Sequence, residues 1–320
     1  MLRENLSHPR SFGDLFAGTG VVGASLNCPE TSIIANELLY CNYCSLHAFL
    51  GAEAVDLKEY HCYLQYLREA GYPKDDYLAR AYGGKYFGAA DALTIGSMRQ
   101  AIADLSLQGR MNSALIATLL YSMDRIANTC GHYDAFRLRE PEDGLFCLRP
   151  LDLGSCKENQ GNRIYNEDAP SLASRIECEV VYLDPPYNSR QYSDSYHVLE
   201  NVARWSKPSL HGKARKFDRS AIKSAFNSKG AAKALATLVE ALNCSYILFS
   251  YSNMEGRGDP RSQNKIRASE IEEILESRGD VEVFERPFRA FSAGKSKLEG
   301  HAERLFFCTV HREREEGDGL

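Results

Sequence analysis

Asp184, Pro185, Pro186 and Tyr187 form the segment with the clearest chemical potential, and they directly follow the apolar run 180–183 (VVYL). The apolar run predicts a strand buried on both faces of a parallel sheet, and the two prolines end it. A carboxylate and an aromatic ring are then held together at the carboxyl end of a strand, where open α/β sheets bind ligands. This combination suits a flat base with an exocyclic amino group. The alternative is an ordinary turn with a surface Asp and Tyr.

A second polar segment lies near the start of the chain. The sequence from Asp14 to Gly20 (DLFAGTG) joins a predicted strand, 11–16, to a predicted helix. Gly18 and Gly20 let the backbone pass close to a ligand, and Gly23 completes a G-x-G-x-x-G spacing, which is a weak signal by itself. An acid before the glycine turn suits a ligand with a positive amino group better than a pyrophosphate.

Two more acids follow predicted strands. Glu37 ends the strand 32–36, where it can accept hydrogen bonds from ribose hydroxyls, and Asp168 follows the strand 163–165, where it can meet an adenine amino group. Singly, these acids also fit a helix cap, a surface residue or a turn. Together, an amino acid, a ribose and an adenine describe S-adenosylmethionine. The predicted cofactor-binding residues are Asp14, Phe16, Gly18, Gly20, Glu37 and Asp168.

Positive charge is concentrated in the segment 204–233, although the whole chain carries a net charge of −5. The segment has one acid, Asp218, against nine basic residues: Arg204, Lys207, Lys213, Arg215, Lys216, Arg219, Lys223, Lys229 and Lys233. Such a local excess predicts a surface that attracts phosphates, and the alternative is a solvated loop. The residues that we predict to bind DNA are Lys213, Arg215, Lys216 and Arg190.

The composition excludes several classes of protein. The chain has 320 residues, 44% of them hydrophobic and 25% charged, which is ordinary for a globular protein. Its longest apolar stretch is too short to cross a bilayer, and residues 1–11 lack the apolar core of a signal peptide. We therefore expect a cytoplasmic protein with no membrane partner. Ten cysteines without a secretion signal predict reduced thiols.

Cys41, Cys44 and His47 could suggest a zinc site. The sequence has no second cysteine pair at metal-binding spacing, and these three residues lie on a helical pattern with apolar neighbours. Packing within a helical core is the default interpretation, so we predict no metal.

Strands and helices alternate along the chain, which predicts an α/β fold with a doubly wound, mostly parallel sheet and a helical insertion. Residues 38–130 are predicted to be mainly helical, with a strong amphipathic helix over 111–128. Further helices are expected over 194–205, 231–242 and 269–277, and further strands over 245–250, 281–284 and 305–310. We expect a catalytic domain from 1–59 and 151–310, a target-recognition insertion at 60–150, and a flexible tail at 311–320.

The chain resembles the adenine-specific DNA methyltransferases that modify the 6-amino group, in the restriction-modification group whose cofactor motif precedes the catalytic motif. The similar segments are Phe12–Gly20, Ile33–Leu39, Phe87–Arg99, Arg125–Phe136, Asn166–Ala203 and Ser250–Asn253. The resemblance implies a Rossmann-like fold that uses S-adenosylmethionine. It also implies double-stranded DNA as substrate and a cognate restriction endonuclease as a partner.

By this resemblance, Asp184 accepts a hydrogen bond from the target amino group, with help from the Pro185 carbonyl. Tyr187 stacks on the adenine after it is flipped out of the duplex. Aspartate rather than serine before the two prolines favours adenine over cytosine. The cofactor is implied to lie against the residues already named near the glycine turn.

Two alternatives stay open at this point. The same catalytic segment would serve an RNA adenine methyltransferase. Members of the family also carry a Gly- and Lys-bearing cofactor segment before the first strand, and the eleven residues before Phe12 do not supply it. A catalytically inactive or split DNA- or cofactor-binding module is therefore the other alternative.

Overall fold

A computed structural model describes residues 9–69, 73–154, 157–187, 189–252, 265–287 and 302–311. The strands within these ranges belong to one sheet. They are β1 (Ser11–Asp14), β2 (Ser32–Asn36), β3 (Arg163–Tyr165), β4 (Val180–Leu183), β5 (Tyr246–Ser252), β6 (Gly279–Pro287) and β7 (Ala302–Val310). The predicted positions 188 and 253, and the predicted tail beyond residue 311, lie outside the described residues.

The strand order is β3-β2-β1-β4-β5-β7-β6. The first five strands are parallel, and β7 is inserted antiparallel to both β5 and β6. The chain leaves β1 towards β2 on one side and later returns as β4 on the other side. The crevice at such a reversal is the usual ligand site of a doubly wound sheet. The predicted α/β class with a mostly parallel, doubly wound sheet is confirmed.

Helices connect the strands and cover the sheet. The helices of the described ranges are α1 (Val21–Leu26), α2 (Tyr40–Leu50), α3 (Leu57–Arg68), α4 (Tyr77–Tyr82), α5 (Ala89–Asp104), α6 (Gly109–Asp124), α7 (Ala169–Ala173), α8 (Tyr192–Ser195), α9 (His197–Arg204), α10 (Ala231–Ala241) and α11 (Ala268–Glu276). The predicted helix 194–205 is in fact two helices, because Tyr196 between them leaves helical geometry. The predicted helix 111–128 starts at Gly109 and ends at Asp124.

The two faces of the sheet pack differently. On one face, Val181, Ile247 and Phe249 share a core with residues from α7, α10 and α11. On the other face, Phe12 and Val180 pack against α2. Alternate residues of β4 therefore point into opposite cores, as the unbroken apolar run of this strand predicts.

A third core joins the helices α2 to α6 and also includes α9. Two buried arginines crosslink this helical layer. The guanidinium of Arg99 donates to the Val202 and Ala203 carbonyls at 2.8 and 2.9 Å, and Arg110 donates to the Ala48 carbonyl at 2.9 Å. Because α9 packs among these helices, the helical layer is continuous with the segment that follows residues 184–187, which we call the tetrad. The expected division into a catalytic domain and an insertion stays a prediction.

Cys41 and Cys44 lie buried in this third core, on α2. His47 on the same helix has its Nδ1 atom 3.0 Å from Ser113 Oγ. Within the described ranges, no three His, Cys, Asp or Glu side chains are grouped closely enough to hold a metal ion. None of the helices described is both long and apolar enough to span a membrane.

Candidate active site

A cavity of about 580 Å³ opens at the carboxyl ends of β1, β2 and β4. This volume lies in the range of small-molecule and cofactor sites. Most of the predicted catalytic and cofactor residues line it, namely Asp14, Phe16, Gly18, Glu37, Asp168, Asp184 and Pro186. Pro185, Tyr187 and Gly20 are not part of the lining.

Asp14 is the most constrained acid in the cavity. Its side chain is 1% exposed, and its Oδ1 atom has no hydrogen-bond partner among the described residues. Burial, together with the negative charge of Asp184, raises the pKa of Asp14 from 3.8 to about 8. A buried acceptor without a partner is costly, and a positively charged donor from a ligand would relieve that cost. The residue therefore fits the amino group that the sequence assigned to it.

The glycine turn is tied to the end of β2 by Glu37. One carboxylate oxygen of Glu37 accepts a hydrogen bond from the Gly18 amide at 2.9 Å, and the other accepts from Leu38 at 3.0 Å and Leu39 at 3.2 Å. Burial nevertheless raises the pKa of Glu37. A carboxylate has about four acceptor sites, so Glu37 retains capacity for a ligand hydroxyl.

Gly18 and Gly20 are required for different structural reasons. Gly18 has φ +55°, which disfavours a side chain, and no atom lies within 4 Å of where its Cβ would be. A Cβ on Gly20 would lie 2.6 Å from Leu46 Cδ2, so Gly20 is needed for packing against α2. Of these two glycines, Gly18 lines the cavity and Gly20 does not, so the predicted close approach of Gly20 to a ligand has no counterpart in the cavity lining.

Asp168 precedes α7 as its N-cap residue, yet its side chain makes no capping hydrogen bond. The carboxylate is exposed at the cavity and is therefore available to a ligand.

Asn36, a residue that was not predicted to have a role, holds together the loops at this edge of the cavity. The Asn36 amide nitrogen donates to the Leu15 and Glu167 carbonyls, each at 3.1 Å. A polar residue directly after the apolar run 33–35 was the signal for this role.

The tetrad directly follows β4, and Asp184 and Pro186 of the tetrad line the cavity. Asp184 has accessible surface there but is otherwise enclosed by protein. Burial and the charge of Glu303 raise the pKa of Asp184 to about 6. A hydrogen bond with Tyr182 lowers the pKa of Asp184 and partly offsets this rise. Pro185 and Pro186 are buried. The tetrad therefore presents one carboxylate on a rigid support.

Tyr187 lies beside the cavity. Its ring meets the Tyr251 ring edge-on, with centroids 6.0 Å apart. Its carbonyl accepts a hydrogen bond from the Lys265 amide at 2.9 Å. The backbone is thus fixed by two later segments, while the stacking role of the ring stays a prediction.

Two tyrosines that the sequence analysis left without a role line the other wall of the cavity. Tyr192 is 51% exposed, and its ring centroid lies 6.2 Å from that of Tyr196. Gln191 connects this wall to the basic segment, because its side chain donates to the Ser224 carbonyl at 3.1 Å and accepts from the Ser224 amide at 2.9 Å. The four-residue spacing of the tyrosines was a readable signal that they lie close together, and the Tyr196 amide donates to the Tyr192 carbonyl at 2.9 Å.

The predicted DNA-binding residues differ in their surroundings. Lys216 pairs with Asp134 at 2.5 Å and with Asp194 at 3.1 Å, whereas Lys213 and Arg190 are exposed and Arg215 is half-buried. Four of the nine basic residues of the segment form ion pairs with acids elsewhere in the chain: Arg204, Lys207, Lys216 and Arg219. The usable positive charge of this segment is therefore smaller than its sequence indicates.

The fold and the site define a Rossmann-like methyltransferase architecture, with acids at the ends of β1, β2 and β4 around one cavity. The sequence model of the D12 class N6 adenine-specific DNA methyltransferases matches residues 2–255, and the chain belongs to this family.

Three relatives illustrate the range of similarity. The chain is 30% identical over 319 residues to Modification methylase LlaI from Lactococcus lactis subsp. lactis, covering 92% of this chain and 50% of LlaI. It is 30% identical to Type II methyltransferase M.FokI from Planomicrobium okeanokoites, covering 92% and 47% of the two chains. It is 28% identical to Type II methyltransferase M.NlaIII from Neisseria lactamica, covering 94% and 89%. The chain thus spans about half the length of the first two relatives and most of the third.

Proposed function

We propose that this chain is a site-specific DNA methyltransferase that transfers a methyl group from S-adenosylmethionine to the 6-amino group of adenine. The observation that carries the proposal is the pair of carboxylates that face one cavity from adjacent strands, the buried Asp14 and the exposed Asp184. Asp14 Oδ1 lacks a hydrogen-bond partner among the described residues and suits a positive amino group, and Asp184 suits a neutral amino donor. Neither the family nor the relatives support the RNA alternative.

The residues of the cavity fit S-adenosylmethionine. Asp14 would hold the amino group, Glu37 the ribose hydroxyls, and Asp168 the adenine amino group. Phe16 would pack against the ligand, since its ring lines the cavity and is itself braced edge-on by Phe226 at 5.0 Å. When bound, the cofactor supplies an electrophilic methyl group on a positively charged sulfur.

The tetrad would orient the target base. The ionised Asp184 and the Pro185 carbonyl accept hydrogen bonds from the adenine amino group, which draws its lone pair out of conjugation with the ring. Tyr187 holds the ring of the flipped base by stacking. Because both groups are held by the buried prolines, their contribution is positioning and fixed electrostatics, and no covalent bond to the protein is required.

Double-stranded DNA is the proposed substrate, and a cognate restriction endonuclease is the proposed functional partner. The names of the relatives, a modification methylase and type II methyltransferases, support a modification role. In that role, methylation of a specific sequence would protect host DNA from the nuclease.

The test is methyl transfer from isotopically labelled S-adenosylmethionine by the purified chain. Unmethylated duplex DNA and RNA serve as competing substrates, and sequencing of methylated adenines identifies the site. We expect labelled 6-methyladenine in duplex DNA within one sequence, and no transfer by Asp184→Ala. Transfer to RNA alone, or full transfer by the variant, would contradict the proposal.

A further inference from the structure

Leu138 is the most exposed of the large hydrophobic residues in the described part of the chain, with 98% of its surface accessible. It lies in an irregular segment between two exposed arginines, Arg137 and Arg139. Scattered exposed apolar residues are normal. A leucine with almost no protein contact, flanked on both sides by cations, needs a more specific explanation.

The backbone under Leu138 is held firmly. The buried Asn128 amide nitrogen lies 3.1 Å from the Arg137 carbonyl and 3.0 Å from the Arg139 carbonyl, so it bonds the residues on both sides of Leu138. The same nitrogen donates to the Lys85 carbonyl at 2.9 Å. The Arg137 amide donates in turn to the Asn128 carbonyl at 3.0 Å. The leucine therefore projects from a fixed support.

The other end of this segment is also anchored. Asp143 accepts hydrogen bonds from the Ala90 and Asp91 amides at 2.8 and 3.2 Å, at the start of α5. The Asp91 carboxylate accepts from Gly144 at 3.1 Å and Leu145 at 3.0 Å. An exposed loop held at both ends can present a side chain without a large ordering cost on binding.

The same stretch of chain reaches the active-site cavity. Gly131 lines the cavity, and a bridge between Thr129 and Phe136 closes residues 130–135 into a loop. The Tyr133 amide donates to the Ser195 carbonyl at 2.7 Å, next to the cavity wall formed by Tyr192 and Tyr196. Leu138 follows Phe136 by two residues, on the stretch of chain that contacts the cavity at Gly131.

The charges around Leu138 favour a polyanion. Neither Arg137 nor Arg139 forms an ion pair with any residue that the structure describes, and the acid nearest in sequence is Glu140. Lys85 lies over the Phe136 ring at 5.7 Å, and its ammonium donates to the Lys213 carbonyl at 3.4 Å. This contact joins the leucine segment to the exposed part of the basic segment and makes one basic surface.

We propose that Leu138 is an apolar wedge that enters duplex DNA beside the target adenine, while Arg137 and Arg139 contact the flanking phosphates. The inference rests on the proposed function and deepens it, because extrusion of a base leaves a gap in the stack. Proteins that distort duplexes insert apolar side chains between base steps in this way, with cations on the adjacent backbone.

The test compares Leu138→Ala with Leu138→Met and with Leu57→Ala, an exposed leucine on α3 that serves as the matched control. Two duplexes contain the mapped recognition site, one with the target adenine paired and one with it opposite an abasic position. We expect Leu138→Ala to lose on the order of tenfold in methyl transfer on the paired duplex, which corresponds to part of the cost of unstacking one step. On the unpaired target it should match the unaltered chain, as Leu138→Met and Leu57→Ala should on both duplexes.

Equal loss on the two duplexes, or no loss on either, would overturn the wedge. A change of oligomeric state in Leu138→Ala with unchanged transfer would assign the leucine to a protein contact instead. Failure of the proposed function looks different, because the unaltered chain would then methylate neither duplex. The wedge is tested in that case on a duplex obtained by binding selection, with 2-aminopurine in place of each adenine in turn. Its fluorescence should rise at one position on binding of the unaltered chain and rise less with Leu138→Ala.

The arginines are tested by binding alone. Arg137→Gln with Arg139→Gln should reduce the slope of log affinity against log salt by about two, since each phosphate contact contributes about 0.9. Arg80→Gln on α4 is the control and should leave the slope unchanged. An unchanged slope in the double variant would show that the arginines do not contact phosphates.

Discussion

Asp14 should destabilise the ligand-free protein increasingly as the pH rises. Its pKa is about 8 in the folded chain against an ordinary value of 3.8, so the folded state retains a proton that the unfolded state has already released. The stability associated with this raised pKa is complete below about pH 4 and is lost as the pH rises towards 8. Between pH 5 and pH 8 the loss amounts to about 4 kcal/mol, at about 1.4 kcal/mol for each pH unit in the window.

Asp14→Asn removes this titration while preserving the size of the side chain. Its free energy of unfolding, relative to that of the unaltered chain, should rise by about 4 kcal/mol from pH 5 to pH 8. Urea unfolding at both pH values measures this difference, and the fluorescence of the single tryptophan, the largely buried Trp205, reports the transition. Asp168→Asn is the matched control, because that carboxylate is exposed at the same cavity.

Parallel pH profiles for the unaltered chain and Asp14→Asn would refute the reasoning, because they would mean that the carboxyl group is not perturbed by the fold. A calorimetric titration with S-adenosylmethionine measures the expected effect of the same substitution on ligand binding. The stabilised Asp14→Asn should lose affinity for S-adenosylmethionine, since its neutral side chain cannot pair with the positive amino group. Such opposed effects on stability and binding are typical of a buried acid reserved for a ligand.

Three further predictions concern the tetrad and the basic segment. Asp184→Ala should abolish methyl transfer but retain binding of S-adenosylmethionine in calorimetry, and loss of both would assign Asp184 to the cofactor. At saturating cofactor, kcat/KM for DNA should fall about tenfold per unit below about pH 6, where Asp184 becomes protonated, and a flat profile from pH 5 to 7 would contradict this. Lys213→Gln with Arg215→Gln should lower the slope of log DNA affinity against log salt by about two. Lys216→Gln should instead mainly lower the free energy of unfolding, by about 1 kcal/mol, because its ion pairs are lost. Equal salt slopes for the double variant and Lys216→Gln would contradict this distinction.

Local patterns were sufficient to predict much of the sheet. The strand 180–183 is apolar at every position because both of its faces are buried, and that signal is independent of the rest of the chain. The strand predicted over 11–16 ends at Asp14, because the chain turns into the glycine segment there, although the Leu15 amide still donates to the Tyr182 carbonyl at 3.3 Å. Strand ends depend on such neighbouring contacts, which a single segment does not encode.

The charge of the basic segment was harder to predict, for a physical reason. The partners of Lys207 and Lys216 include Asp75 and Asp134, which lie 132 and 82 residues earlier in the chain. A count of charges within one window cannot include acids that only folding brings into contact. Lys213 is instead left exposed, so the predicted phosphate surface narrows to a part of the segment.

The location of the two critical acids follows from the register of the sheet. Asp14 pairs with Tyr182 across the β1–β4 boundary, so Asp184 lies just beyond the last paired position, on the same side of its strand as Tyr182. Parallel strands end at the same edge, and the strand order reverses at this boundary, which is where doubly wound sheets form a ligand crevice. The charge of Asp184 adds to burial in raising the pKa of Asp14, whereas burial and the charge of Glu303 raise the pKa of Asp184. A positively charged cofactor group beside Asp14 would lower the pKa of Asp14, and it would also favour the ionised form of Asp184 that the proposed contact with the target amino group requires. Under the proposed function, occupation of the cofactor site would therefore prepare Asp184 for the base.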